Sequence, residues 1–209
     1  PASARTPILD LQTDVGTVRA VTYELYMANG TCSAVAITDT TLLTAAHCGT
    51  VGDTVQIWDD GKFVANAIFL MADDNADLLI VVITEKEASL PQWISIADGN
   101  VVRDTPVVVA GYPLGIAEVV TYGSIQAVQT VSPEEQLKRL KKVVTRGVFE
   151  VYVVAVNIAF GNSGGGLFVK QDGEWKLIGI CSMGAFGYGA KTTYIGLFVS
   201  TTEIKDFLK

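Results

Sequence analysis

Histidine is nearly absent from this sequence: His47 is the single one in 209 residues. With no second histidine and only scattered acids there is no ligand cluster for a catalytic metal, so no metal and no cofactor are expected. Charged residues are sparse at 18%, and the balance is acidic, with a formal net charge of −7. A nucleic-acid binder needs a basic surface that displaces counterions from phosphates, so no nucleic-acid partner is expected. The one basic cluster, Lys138–Lys142, reads as a solvated helix face. No apolar run approaches the ~20 residues that span a bilayer, which argues against membrane insertion. An initiator Met and a signal-peptide pattern are also missing. A chain that starts at Pro1 is expected to be a processed product or a segment cut from something longer.

What is abundant points to strands. Hydrophobic residues make up 49% and glycine is frequent, with 20 residues. Short runs rich in Val, Ile, Thr and Tyr recur between turn residues: Val18–Tyr26, Ser33–Ile37, Thr54–Ile57, Leu78–Ile83, Pro106–Ala110 and Val148–Val156. This is an all-β pattern, a sandwich or barrels, with about six candidate strands on each side of a turn-rich midpoint at Ala97–Asp104. No internal repeat is visible. The expected division is an N-terminal barrel over 1–100 and a C-terminal barrel over 101–209, packed together rather than independent. Two helices interrupt the pattern. Ser132-Pro133-Glu134-Glu135 has a Ser cap, Pro at the first helical position and Glu three residues after the cap, predicting a short surface helix over Pro133–Lys142. Ile204, Phe207 and Leu208 fall on one face of a terminal helix over Thr202–Leu208.

Three segments carry chemistry. The single histidine sits in Leu43-Thr44-Ala45-Ala46-His47-Cys48. A serine sits in Gly161-Asn162-Ser163-Gly164-Gly165-Gly166. A serine hydroxyl is a poor nucleophile until a base takes its proton. A glycine-rich turn lets backbone N–H groups converge on one small space, where a developing oxyanion can be held. Gly161 and Ser163 would supply those donors. In Asn75-Ala76-Asp77-Leu78-Leu79-Ile80-Val81 an acid stands directly before an apolar strand, a position from which a buried carboxylate can accept the histidine Nδ1–H. Asp73 and Asp74 are rivals in a polar turn. Asp77 is preferred because the apolar run begins immediately after it.

His47 in Thr-Ala-Ala-His-Cys, Asp77 in Asp-Leu-Leu and Ser163 in Gly-Asn-Ser-Gly-Gly, in that chain order, resemble the chymotrypsin-like serine proteases over almost the whole chain. The resemblance implies two six-stranded antiparallel β-barrels with the triad His47, Asp77 and Ser163 in the cleft between them. It implies a serine endopeptidase working through an acyl-enzyme, with a protein or peptide as substrate. It also implies a Cys32–Cys48 disulfide beside the histidine, two buried free thiols being the alternative, and it leaves Cys181 unpaired. Ile180-Cys181-Ser182-Met183-Gly184 resembles the strand whose serine supports the catalytic aspartate and whose backbone pairs with substrate, so Ser182 would bond Asp77 while Met183 and Gly184 flank the specificity pocket.

The departures are informative. Asn162 stands where zymogen-activated digestive members carry an acid that pairs with a freed N-terminus, and an Ile-Val-Gly-Gly start is missing, so activity is not expected to need that cleavage. Gly111-Tyr112-Pro113-Leu114-Gly115 and Val120–Ile125 look closer to the bacterial and viral branches, including the HtrA-like proteases. By the same match Asn157 is the pocket base, with Thr192 and Gly184 as walls; Phe160 either shapes the pocket mouth or is ordinary packing. A neutral base selects Lys or Arg less strongly than an acid would, so an uncharged P1 side chain of small to medium size is expected. Lys191 beside the wall makes an acidic P1 the rival. A disulfide would favour an oxidising setting: secreted, periplasmic or virion-associated. Two competing functions are weighed. Gly-x-Ser-x-Gly is also the nucleophile elbow of α/β-hydrolases, but no histidine follows Ser163, so that esterase reading lacks a base. A non-catalytic binding module that keeps the protease fold is the other.

Overall fold

Among the described residues twelve strands, several of them buried at nearly every position, build two closed antiparallel barrels. The computed structural model describes residues 14–99, 101–140, 147–184 and 192–209. In the first barrel, β1 (Thr22–Met27), β2 (Gly30–Ala36), β3 (Thr41–Thr44), β4 (Thr54–Asp59), β5 (Lys62–Asp73) and β6 (Leu78–Ile83) are ordered β1-β2-β3-β6-β5-β4. Pairing of Leu25 with Ile57 closes the ring between β1 and β4. In the second, β7 (Pro106–Gly111), β8 (Val119–Val131), β9 (Phe149–Ala159), β10 (Gly166–Gln171), β11 (Glu174–Gly184) and β12 (Thr192–Ser200) are ordered β10-β11-β12-β9-β8-β7. Pairing of Ala110 with Gly166 closes this ring. Counted from β7, the strand order is that of the first barrel, a repeat of topology that the side chains do not display.

The two barrels share apolar packing. One buried cluster runs from Leu25, Leu42, Leu43 and Phe69 of the first barrel to Phe149, Phe168, Leu177 and Ile180 of the second. A separate cluster, with Tyr152, Val154, Leu167, Ile178 and Phe198, fills the interior of the second. The connection between them is stitched to both. Leu90 and Ile94 donate to the carbonyls of Asp39 and Ala36 at 2.6 and 3.0 Å, and Ala97 donates to Leu177 at 2.9 Å.

One expected strand starts late. The sequence predicts a strand over Val18–Tyr26, but Gly16–Ala20 form a helical turn and β1 begins at Thr22. The β-branched valine is overruled by tertiary burial: Val18 is wholly buried, and its carbonyl accepts the Thr22 hydroxyl at 2.8 Å. The two expected helices are present. Ser132 Oγ accepts the Glu135 N–H at 3.2 Å while Ser132 N–H donates to Glu135 Oε2 at 3.4 Å, a reciprocal cap for a helix over Pro133–Leu140. Lys141 and Lys142 lie outside the described residues. The terminal helix spans Thr201–Phe207 and is capped by Ser200, with Ile204 buried and Phe207 and Leu208 packed on the core. Among the described residues no helix is long and apolar enough to cross a membrane.

Cys32 of β2 and Cys48 form a disulfide with Cα atoms 6.2 Å apart. It ties β2 to the turn that follows β3. Replacing both cysteines by serine should lower stability to urea by about 3 kcal/mol, the scale for a loop of this size. Equilibrium unfolding followed by tryptophan fluorescence measures it.

Candidate active site

The sheet register brings the histidine and the acid together. β3 pairs with β6, Thr44 opposite Leu79, so the end of β3 lies beside the start of β6. His47 follows β3 on a single 3₁₀ turn, Ala46–Cys48, and Asp77 immediately precedes β6. Asp73 closes the turn before it, its Oδ1 accepting the N–H groups of Asn75 at 2.8 Å and Ala76 at 3.3 Å. The chain then passes through Asp77 at φ +60°, a left-handed conformation that aspartate tolerates better than most residues.

The Asp77 side chain is fully buried, and burial of a carboxylate is costly unless donors surround it. It has three. His47 donates its backbone N–H to Oδ1 at 3.0 Å. The His47 ring presents Nδ1 at 2.9 Å from Oδ2 and 3.0 Å from Oδ1. Ser182 of β11 donates its hydroxyl to Oδ2 at 2.5 Å. With a carboxylate on one side, the ring proton belongs on Nδ1, which leaves the Nε2 lone pair facing Ser163 Oγ at 2.8 Å. Ser182 reaches the site because the β11–β12 register shifts between Cys181 and Met183. Such a bulge re-aims side chains: Cys181 packs inside the second barrel, Ser182 turns to Asp77, and Met183 joins the shared core.

The loop around Ser163 has its backbone groups pinned one by one. The carbonyl of Phe160 accepts Leu114 N–H at 2.6 Å, that of Asn162 accepts Gly165 N–H at 2.8 Å, and that of Ser163 accepts Ser33 N–H at 2.7 Å. The carbonyl of Gly161 accepts the Ser33 hydroxyl at 2.8 Å. Asn162 N–H donates to Ala159 and Gly164 N–H to Cys181. The N–H groups of Gly161 and Ser163 remain, with no acceptor among the described residues. They stand on alternate peptides, so both can face one point. Glycine is required here by conformation and by space. Gly161 and Gly164 sit at φ +95° and +81°, and a Cβ at Gly164 would lie 2.0 Å from Thr44 Oγ1 and 2.1 Å from the Ser33 carbonyl.

The pocket residues named from the sequence gather at one end of the second barrel. Gly184 ends β11, Thr192 begins β12 opposite Ala159, and Asn157 lies near the end of β9. Asn157, Phe160 and Thr192 are exposed, Gly184 is partly so, and Met183 is buried. The Asn157 carbonyl accepts the Thr121 hydroxyl at 3.2 Å. Lys191 lies outside the described residues. Sequence reasoning gave no role at the site to Ser33, and it noted Thr44 and the Tyr112–Leu114 segment only within motifs, without their contacts to Ser33 and the nucleophile loop. Ser33 has no motif of its own, and its partners Gly161 and Tyr112 stand 128 and 79 positions away, so no local signal marks it.

A family model described as Trypsin matches residues 14–208. No curated protein matches the chain in sequence. Among solved structures, the active form of the Rv3671c protease from M. tuberculosis is 21% identical with a TM-score of 0.76, covering 100% of this chain and 88% of that one. An inactive form of the same protease gives 19% identity and a TM-score of 0.77, with coverages of 100% and 97%. The HtrA-type protease AlgW with a tripeptide is 23% identical with a TM-score of 0.74, and the match covers 97% of this chain and 62% of that one.

Cys181 is a buried thiol pushed up to about 12, first by burial and then by the Asp77 charge. It should resist iodoacetamide in the native protein at pH 8 and react promptly in denaturant. Mass spectrometry of the alkylated chain checks this. Gly164→Ala, by contrast, should destabilise the fold by several kcal/mol through the clash with Thr44 and Ser33, read as a fall in melting temperature.

Proposed function

The chain belongs to the trypsin family, and from that premise we propose that it is a serine endopeptidase with Ser163 as nucleophile, His47 as general base and Asp77 orienting the histidine. The observation that carries the reading is the unbroken run of hydrogen bonds from Ser163 Oγ through His47 to a buried carboxylate. His47 Nε2 takes the Ser163 proton as the oxygen attacks the scissile carbonyl. Asp77 keeps Nδ1 protonated and stabilises the imidazolium that forms. The N–H groups of Gly161 and Ser163 receive the oxyanion, and their carbonyl ends, already bonded elsewhere, need no reorganisation at the moment of attack. His47 then protonates the leaving amine. Water, activated by the same ring, hydrolyses the acyl-enzyme.

In this reading Ser182 holds the aspartate, Met183 and Gly184 flank the specificity pocket, and the backbone of their strand pairs with the substrate chain. Asn157, Thr192 and Gly184 form the P1 pocket. A neutral asparagine at its base favours uncharged P1 residues over Lys or Arg. Asn162 is buried and uncharged, so the oxyanion loop does not depend on an ion pair with a freed N-terminus. The Cys32–Cys48 bridge next to the histidine supports a setting outside the cytoplasm: secreted, periplasmic or virion-associated.

A fluorophosphonate probe should label Ser163 in the wild-type protein and not in Ser163→Ala. Peptide-library turnover should fall on the order of 10⁵–10⁶-fold in Ser163→Ala and comparably in His47→Ala, since no second histidine exists to substitute. Wild-type protein that neither labels nor cleaves would make it a binding module on a protease fold. Cleavage surviving in Ser163→Ala would remove the nucleophile assignment. The same library reads the P1 preference, and efficient cleavage after Lys or Arg would contradict the neutral-pocket reading.

A further inference from the structure

We propose that Ser33 is a positioning residue for the oxyanion site, a strut from the first barrel that holds the Gly161–Ser163 loop in register with His47. The proposal rests on the protease reading above and adds to it a residue that no motif of the sequence marks. Ser33 is wholly buried on β2, next to the disulfide at Cys32, and four of its hydrogen bonds converge on this region. Its N–H donates to the Ser163 carbonyl at 2.7 Å. Its carbonyl accepts the Thr44 hydroxyl at 2.7 Å. Its Oγ accepts the Tyr112 N–H at 2.8 Å, which turns the hydroxyl proton away from Tyr112 and toward the Gly161 carbonyl, also 2.8 Å away. The hydroxyl thus bridges β2, the Tyr112–Leu114 segment and the nucleophile loop. The same segment pins the loop a second time through Leu114 N–H and the Phe160 carbonyl.

The space is fitted to the hydroxyl. Gly111 lies alongside, and a Cβ there would fall 2.9 Å from Ser33 Oγ and 2.7 Å from Asn162 Oδ1. The Gly161 carbonyl and the Asn162 N–H share one peptide. Ser33 holds one end and the Ala159 carbonyl holds the other. That peptide lies between the two whose N–H groups are left free. If it rotates, both donors lose their common aim. Removing the hydroxyl leaves the part-buried Gly161 carbonyl and the buried Tyr112 N–H without their partner, and the loop can recover them only by moving. Ser33 touches no reacting atom, so its effect should fall on the step where negative charge develops and not on substrate docking.

Ser33→Ala tests this. The expected result is a kcat lowered about 10–100-fold with KM within twofold, because an oxyanion donor displaced by ~1 Å loses most of its benefit. A peptide aldehyde, which forms a tetrahedral adduct, should lose affinity by the same factor, while the product peptide binds as before. Ser33→Thr and Ser33→Val share a shape and differ in the hydroxyl, so Thr should retain several-fold more kcat than Val. Equal kcat for that pair, an unchanged kcat in Ser33→Ala, or a matching loss of product-peptide affinity would overturn the proposal. Amide hydrogen exchange gives a readout independent of turnover: Asn162 should exchange at least ~10-fold faster in Ser33→Ala, since its N–H stays on Ala159 only while the loop keeps this course. Unchanged exchange there refutes the positioning role. A wild-type protein without fluorophosphonate labelling refutes the protease reading instead, and exchange then still decides whether Ser33 holds the loop.

Discussion

A carboxylate without access to water organises this molecule. Asp77 has a fully buried side chain, and an isolated ion in that environment would be untenable without hydrogen-bond donors. The donors come from both barrels: the backbone and ring of His47 from the first, and the Ser182 hydroxyl from the second. The three bonds locate His47 and orient its ring, and the bulge in β11 brings Ser182 to the same carboxylate. Contacts from both barrels therefore hold the carboxylate that orients the histidine.

The loop at Ser163 follows a complementary logic. Asp77 is a buried acceptor surrounded by donors, whereas Gly161 and Ser163 present donors without acceptors among the described residues, in a loop where the N–H groups of Asn162, Gly164 and Gly165 are paired. Buried backbone groups are ordinarily all satisfied. Two free N–H groups on alternate peptides, flanked by carbonyls that are each held elsewhere, make a small region of positive potential beside a hydroxyl 2.8 Å from an imidazole. In the proposed reading this region receives the oxyanion, which exists only transiently. The cost of leaving donors open is borne by the surrounding contacts, of which those of Ser33, Leu114 and Cys181 are the most direct.

The low charge content fits this architecture. Two barrels that share a buried cluster need apolar faces inside and outside parts of their strands, as in β6, where Leu78–Ile83 is buried at every position but Val82. Such a strand cannot show a clean alternation of apolar and polar residues. The run before it ends in an acid because that end meets β3 and its histidine across the register of Thr44 and Leu79.

Much of this was legible in the residues themselves. Short β-rich runs between turn residues determined an all-β chain, Ser132 and Glu135 marked a helix start through their reciprocal cap, and the only histidine, one serine among glycines and one acid before an apolar run marked the residues proposed to carry the chemistry. These features are local: each depends on neighbours within a few positions. What only the tertiary structure decided is non-local. The common strand order of the two barrels, the late start of β1 after the buried Val18, the bulge that turns Ser182 toward Asp77, and the place of Ser33 between Gly161 and Tyr112 all depend on contacts between distant parts of the chain. A hydroxyl on a buried strand looks the same in sequence whether it meets solvent-filled space or a carbonyl 128 positions away, because the partner that gives it meaning is supplied by the closure of the barrels and not by its neighbours along the chain.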